Sequence, residues 1–252
     1  MKIIFLILAV LIFPAAETLA QKSRVEQTLT AGKPLLKSAL VLPQGGTKKE
    51  QFVSYVLRDG QRLNLSFLTR ILDISRSSSS GEEVLRVVQH YESLNGVSTD
   101  ISTMALNSLL PILYRAVLTT QAENFEFSQT GVKGIVAQKD GDVKNFDVPL
   151  EGPVYNAAVI SKLIQALPLS SNYAASFRAY NPGKNFFTMK VSVEGSEKVG
   201  IADGNSLDAW IVRLEGGTAP VTYWIAKTTQ EEIKQKVMLE NGDEFWRVRV
   251  YN

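Results

Sequence analysis

Residues 187–194 read Phe-Thr-Met-Lys-Val-Ser-Val-Glu, with an apolar side chain at nearly every second position. Successive side chains of a β-strand point to opposite faces of its sheet, so this alternation predicts a strand with one buried and one solvated face. Antiparallel sheets commonly leave one face in water. The stretch therefore indicates an antiparallel β-sheet, and much of the chain extends the same pattern.

Four Asp-Gly or Asn-Gly pairs separate segments of this kind: Asp59-Gly60, Asn95-Gly96, Asp140-Gly141 and Asn241-Gly242. Such pairs favour the positive φ angles of tight hairpin turns. We therefore predict four hairpins, which pair 51–58 with 61–75, 83–93 with 97–106, 132–139 with 142–150, and 231–240 with 243–251.

Further strands are predicted at 174–180, 185–194, 207–215 and 221–227, and one helix interrupts the β pattern. Asn156 is a suitable N-cap, apolar residues recur at helical spacing from Val159 to Leu167, and Pro168 ends the run. The sequence thus predicts a mainly β fold, an antiparallel sheet of about 11–12 strands with one covering amphipathic helix. We assign residues 21–252 to a single domain.

The first twenty residues have the character of a secretion signal. Lys2 precedes an apolar run over 3–13, Pro14 ends the run, and Ala20 closes a stretch of small residues. A membrane anchor is the alternative, but a spanning helix needs about 20 apolar residues. We therefore predict a signal peptide over 1–20, cleaved near Ala20, which directs the chain across the inner membrane to the periplasm.

The composition excludes several classes of function. The chain has no Cys, so thiolate nucleophiles, disulfides and Cys-ligated zinc are ruled out. Its 27 Lys and Arg against 25 Asp and Glu give a formal charge of +2 without a basic block, which argues against nucleic-acid binding. We expect no nucleic-acid partner and, at most, peripheral contact with a membrane.

No catalytic or cofactor motif is found. His90 is the only histidine and has no partner that the sequence can identify. Gly204-Asn205-Ser206 lacks the second glycine of a nucleophile elbow, and glycine-rich phosphate loops are missing. We therefore nominate no catalytic residue, metal ligand or cofactor, and we expect the protein not to be an enzyme.

Aromatic residues of the C-terminal strands are the candidate binding residues. Rings on one face of a curved sheet line apolar ligand pockets in many proteins, and they also build ordinary hydrophobic cores. Both interpretations stay open for the five residues that we select as a candidate cavity wall, which are Phe187, Trp210, Tyr223, Trp224 and Trp246.

Several segments, in this order, resemble exported bacterial domains of the DUF3108 type, which are similar to LolA/LppX-like half-barrels that bind lipids and lipoproteins. The segments that carry the resemblance are Ser108-Leu109-Leu110-Pro111 with Tyr114-Arg115, Val132-Lys133-Gly134, Ile160 to Leu169, Val191 to Glu197, Asp208 to Val212, Thr222 to Ile225, and Lys234 with Lys236. The resemblance implies a strongly curved sheet, an incomplete barrel, whose concave side is closed over an apolar cavity.

Three functions follow as alternatives. The first is a non-enzymatic envelope protein that binds a lipid, an acyl chain or a lipoprotein in the half-barrel. The second is a structural or protein-interaction β-module, with an envelope protein added at an accessible edge strand such as 243–251. A hydrolase that uses a serine or a carboxylate is the third and the least favoured, because its motifs are missing.

Overall fold

The computed structural model describes residues 27–28, 47–77, 81–201 and 204–251. The predicted signal peptide, residues 1–20, lies outside these ranges. Within them, every helix is too short or too polar to cross a bilayer.

All strands of the described residues belong to one sheet, and they number sixteen. In chain order they are β1 (Gln27–Thr28), β2 (Lys48–Arg58), β3 (Gln61–Arg76), β4 (Glu83–Ser93), β5 (Gly96–Ala105), β6 (Pro111–Val117), β7 (Gln121–Phe127), β8 (Gly131–Gln138), β9 (Val143–Pro149), β10 (Tyr155–Asn156), β11 (Ala174–Tyr180), β12 (Phe186–Gly200), β13 (Ser206–Glu215), β14 (Val221–Ala226), β15 (Glu232–Met238) and β16 (Glu244–Val250). The prediction of a mainly β, antiparallel fold is confirmed.

Twelve of these strands are the predicted ones, and four are additional: β1, β6, β7 and β10. β1 and β10 have two residues each, too few to show an alternation. β6 and β7 are joined by Leu118, Thr119 and Thr120, without the glycine that marks the four predicted hairpins. The predicted number of 11–12 strands was therefore too low, because strands without a recognisable turn sequence or alternation were not counted.

Two meanders make up the sheet. β2 to β9 follow one another in sequence order, as do β11 to β16, and β16 pairs with β2 to join the two. All neighbours are antiparallel except β1 and β10, which pair with β11 in parallel. One border is β9 and the other is β11 with its two short partners, so the curved sheet is an incomplete barrel.

The predicted edge strand 243–251 is not at an edge. β16 is paired on both sides, with β15 through Lys234↔Val248 and with β2 through Val248↔Val53. The sequence could not show this, because β16 meets β2 only through a contact between the two ends of the chain. The prediction that a partner protein adds a strand at 243–251 is therefore wrong.

The four predicted turns form as expected. Asp59 and Gly60 both have positive φ angles, 49° and 76°, and they connect β2 to β3 with the twist that a tight hairpin needs. Gly96, Gly141 and Gly242 also have positive φ angles.

The helical segment lies against one face of the sheet, which we call the inner face. It consists of a 3-10 turn, Ala157–Val159, followed by α1, Ile160–Gln165, and Asn156 caps it by accepting a hydrogen bond from the amide of Ala158. Every side chain of α1 is buried, including the polar ones. The helix is thus enclosed by the sheet, and its polar side needs partners inside the protein.

The largest hydrophobic core lies between α1 and the inner face. It joins Leu163 and Ile164 of the helix to strand residues such as Leu72, Val87 and Phe177. A second core around Phe125 and Tyr180 fills the space under β6 to β8, and a third lies on the opposite, outer face of β12 to β16.

Candidate functional site

The five predicted aromatic residues do not line one surface. Phe187, Trp210 and Tyr223 belong to the inner face and pack in or against the core around α1. Trp224 and Trp246 belong to the core of the outer face. Because neighbouring residues of a strand point to opposite faces, the adjacent Tyr223 and Trp224 cannot share a wall.

The outer rings form a compact stack with lysines. The ring centroids of Trp224 and Trp246 are 5.7 Å apart at an interplanar angle of 28°. Lys234 Nζ lies 4.3 Å from the Trp224 centroid, and both Lys234 and the Trp224 indole N–H reach the Glu197 carboxylate. Cation–π contacts and ring stacking account for this arrangement without a ligand. The role of the five residues in ligand binding stays a prediction.

An apolar cleft lies elsewhere, at the sheet end where β5 passes to β6 and β7 to β8. Its volume is about 470 Å³, within the range of small-molecule sites. Apolar side chains predominate among the residues that line it, which are Glu82, Ala105, Ser108, Leu110, Pro111, Ile112, Phe127, Ser128, Gln129, Leu150, Gly152, Pro153 and Val154. We call this the apolar cleft.

The β5–β6 connection positions one wall of the cleft. Leu109 has φ of 55°, a backbone conformation that a bulky side chain rarely adopts, and its side chain is buried with only 2% exposure. The Leu109 amide donates to the Ala105 carbonyl, and the Ala105 amide donates to the Leu110 carbonyl. Burial of Leu109 thus stabilises a strained turn that carries Leu110 and Pro111 to the cleft.

A group of charged residues lies inside the protein, beneath α1. Lys162 Nζ of the helix donates to Glu50 Oε2 at 2.7 Å, and Arg70 Nη1 lies 3.2 Å from the same oxygen and 3.1 Å from Glu232 Oε2. None of these four side chains is more than 2% exposed. We call Glu50, Arg70, Lys162 and Glu232 the internal ionic cluster; its two acids and two bases balance.

Gln89 and Asp100 extend the internal ionic cluster along β4 and β5. Arg70 Nε donates to Gln89 Oε1 at 3.0 Å, and Gln89 Nε2 donates to Asp100 Oδ1 at 3.1 Å and to the Ala158 carbonyl at 3.1 Å. Since Ala158 is in the 3-10 turn and Lys162 in α1, the polar groups of β2 to β5 hold the helical segment at two points.

The environment shifts the pKa values of these groups. Burial opposes ionisation of Glu50, but the charges of Lys162 and Arg70 outweigh it and lower the Glu50 pKa to about 2. Burial lowers the Lys162 pKa to about 8. The attraction to Glu50 opposes this effect, and repulsion by Arg70 adds to it. Burial raises the Asp100 pKa to about 6, although the Gln89 hydrogen bond favours the ionised form.

Neither the apolar cleft nor the internal ionic cluster was predicted from the sequence. Arg70 stands between Leu68 and Leu72, and Gln89 follows Leu85 and Val87, each in the register of buried apolar residues. A charged or amide side chain at a position where the strand alternation predicts burial indicates that other polar groups lie on the same face to pair with it. The cleft left no such signal, since it is built by connections far apart in sequence.

The only histidine is on β4, where His90 Nδ1 lies 2.9 Å from Thr99 Oγ1 of the adjacent strand. Among the described residues, no three His, Cys, Asp or Glu side chains are grouped so that they could hold a metal ion.

Comparisons with known proteins identify a family and a fold. A family model described as "Protein of unknown function (DUF3108)" matches residues 63–245. No curated protein sequence matches the chain. The chain is similar to the crystal structure of a beta-barrel-like protein of the domain of unknown function DUF1849 from Brucella abortus, with a TM-score of 0.51 and 6% identity over 80% of this chain and 94% of that one.

A second solved structure, a DUF1329 family protein from Desulfovibrio piger ATCC 29098, aligns with 81% of this chain and 83% of its own. Its TM-score is 0.28 and its sequence identity is 9%.

Proposed function

The chain belongs to the DUF3108 family, whose function is unknown, and from its own geometry we propose that it is a non-enzymatic envelope protein that binds the acyl chain of a lipid in the apolar cleft. Export to the periplasm by the predicted signal peptide is part of this proposal, as is the likeness to LolA/LppX-like lipid-binding half-barrels. The observation that carries the proposal is the cleft itself, about 470 Å³ with mostly apolar walls.

Burial of methylene groups supplies the binding energy. Each CH₂ removed from water contributes about 0.8 kcal/mol, and an acyl chain needs no specific polar contact. Leu110, Phe127 and Leu150 are only half-buried in the protein and therefore retain apolar surface for a ligand. Among the described residues that line the cleft, Glu82 is the only charged one, so the walls select for the chain of the lipid and not for an anionic head group.

A fluorescent fatty acid, cis-parinaric acid, tests this proposal. Ile112 lines the cleft and is 39% exposed, so Ile112→Asn changes the wall without opening the core. We expect about tenfold weaker binding, because the amide group loses water contacts against an acyl chain. Ile135→Asn is the matched control, since Ile135 is 41% exposed on β8 and does not line the cleft.

Binding that saturates in the wild type, weakens in Ile112→Asn and is unchanged in Ile135→Asn supports the proposal. Equal binding by both variants, or no saturable binding by the wild type, refutes it.

A protein-interaction role is the second candidate, and an exposed apolar patch favours it. Cross-strand neighbours place Phe67 beside Glu92 and Glu92 beside Val97 on the outer face. The large apolar side chains of this patch are Leu65, Phe67, Leu94, Val97 and Val117, each more than half exposed. Exposed apolar side chains on one face of a sheet are a feature of interaction surfaces. If this role holds, Phe67→Ser with Leu94→Ser abolishes self-association or partner binding measured by light scattering, and leaves fatty-acid binding unchanged.

A further inference from the structure

The geometry points to a second binding site, for a phosphate or carboxylate group, in a cavity at the ends of β12, β15 and β16. This basic cavity has a volume of about 310 Å³. The residues that line it are Lys198, Val199, Gly200, Ile201, Ile233, Lys234, Val248, Arg249 and Tyr251. None of them lines the apolar cleft, so the inference goes beyond the proposed function and does not depend on it.

The charge of the basic cavity favours an anion. Lys198, Lys234 and Arg249 line it, and none of the described residues in its lining is acidic. Lys234 and Arg249 are held in place by carboxylates outside the lining: Lys234 Nζ lies 3.5 Å from Glu197 Oε1, and Arg249 Nη2 donates to Glu231 Oε1 at 3.2 Å. Each of these cations has further N–H groups, because an ammonium carries three donors and a guanidinium five.

Two buried polar groups of the basic cavity lack hydrogen-bond partners among the described residues. They are Arg249 Nη1 and the Tyr251 hydroxyl. The Arg249 side chain is only 10% exposed, and Nη1 lies 4.0 Å from Glu50 Oε1, beyond hydrogen-bond distance. Buried donors without partners are unfavourable, and an oxyanion accepts hydrogen bonds from both kinds of group.

The Arg249 guanidinium carbon lies 5.2 Å from the centre of the Tyr251 ring, and both residues line the basic cavity. Val199, Ile201 and Ile233 give the basic cavity an apolar side. The chemistry that fits is an oxyanion, either free or as the head group of a small amphiphile whose apolar part contacts these residues.

Isothermal titration calorimetry of the purified protein with inorganic phosphate and with octyl phosphate tests the inference. Tyr251→Phe removes one donor, and about fivefold weaker binding is expected from the loss of one hydrogen bond. Lys234→Gln removes a charge, and about tenfold weaker binding is expected. The matched controls are Tyr173→Phe, which removes another buried hydroxyl without a partner, and Lys133→Gln, which removes an exposed charge on β8.

Saturable binding of phosphate that weakens only in the two cavity variants identifies a site for free oxyanions. Binding of octyl phosphate alone, with the same pattern of variants, identifies a site for an amphiphile head group. Absence of binding by both probes, or equal affinities of cavity and control variants, overturns the inference. Since cis-parinaric acid binding at the apolar cleft is measured separately, failure of one site does not imply failure of the other.

Discussion

Lys162 is a lysine whose side chain is buried inside the protein. The side chain is 1% exposed, and its ammonium nitrogen lies 2.7 Å from Glu50 Oε2. A charge in such a place is stable only when it is paired and hydrogen-bonded, and Gln165 Oε1 supplies a further acceptor at 3.1 Å. Gln165 belongs to the same helix as Lys162, so the helix itself supplies one of the acceptors for this ammonium group. The position of the helix depends on a charge pair as well as on apolar packing.

Removal of one member of this pair should destabilise the protein strongly. Lys162→Met or Glu50→Gln leaves a buried charge with fewer partners, and we expect each to lower the free energy of unfolding by about 3 kcal/mol. The double variant should lose clearly less than the sum, because both charges are then gone. Urea unfolding measures this cycle, and Lys133→Met, at a 74% exposed pair, should change stability by less than about 1 kcal/mol. Additive losses would contradict the pairing.

Asp100 should impose a pH dependence of its own. Its pKa is about 6 in the folded state and 3.8 in the reference state, so the folded form binds more protons between these values. Its contribution therefore lowers stability as pH rises from about 4 to 6. Asp100→Asn has no carboxyl group to titrate at this position. The free energy of unfolding of the variant, relative to that of the wild type, should therefore increase by about 2 kcal/mol between pH 4 and pH 7.5. A difference that does not change with pH, measured by urea unfolding, would show that Asp100 does not titrate in this range.

At the scale of elements, turn chemistry decided which strands the sequence could reveal. Asp59-Gly60 and the three similar pairs predicted a turn and therefore the two strands on either side of it. Leu118 to Thr120 contain no such pair, so β6 and β7 were not predicted. β12 was predicted to end at Glu194 but continues to Gly200, past a bulge between Val193 and Gly195 at which the pairing with β13 shifts its register. Bulges of this kind arise from tertiary pairing, which a local pattern does not show.

The β7–β8 pair depends on a glycine for a packing reason. Gly134 pairs with Phe125, and a Cβ at position 134 would overlap the Phe125 ring and the Asn124 carbonyl. Phe125 is fully buried and cannot move away, so Gly134→Ala should cost about 2 kcal/mol or more. Gly195→Ala is the control, since nothing lies within 4 Å of a Cβ there. Equal unfolding midpoints of the two variants in urea would contradict this packing.

At the scale of the molecule, the two meanders are joined by the pairing of β16 with β2 and by the internal ionic cluster. Glu50 and Arg70 come from the first meander, and Glu232 comes from the second. The sequence predicted the sheet and the helix, and the DUF3108 resemblance was confirmed by the family model. The apolar cleft was not predicted at its position, because residues 105–112, 127–129 and 150–154 meet only after the sheet has curved.

The two meanders should unfold as one unit. All three tryptophans, Trp210, Trp224 and Trp246, are in the second meander, so their fluorescence reports on that half alone. Far-ultraviolet circular dichroism reports on the whole sheet. We expect coincident thermal transitions by the two probes, because separation would break the β16–β2 ladder and leave the buried charges of the internal ionic cluster unpaired. Two separated transitions would show that the halves are independent.

The most direct test of lipid binding is native mass spectrometry of the protein purified from a bacterial envelope, followed by organic extraction and lipid analysis. We expect a stoichiometric lipid adduct that Ile112→Asn loses and Ile135→Asn retains. A mass without ligand that stays unchanged after incubation with lipid would contradict lipid binding by this protein.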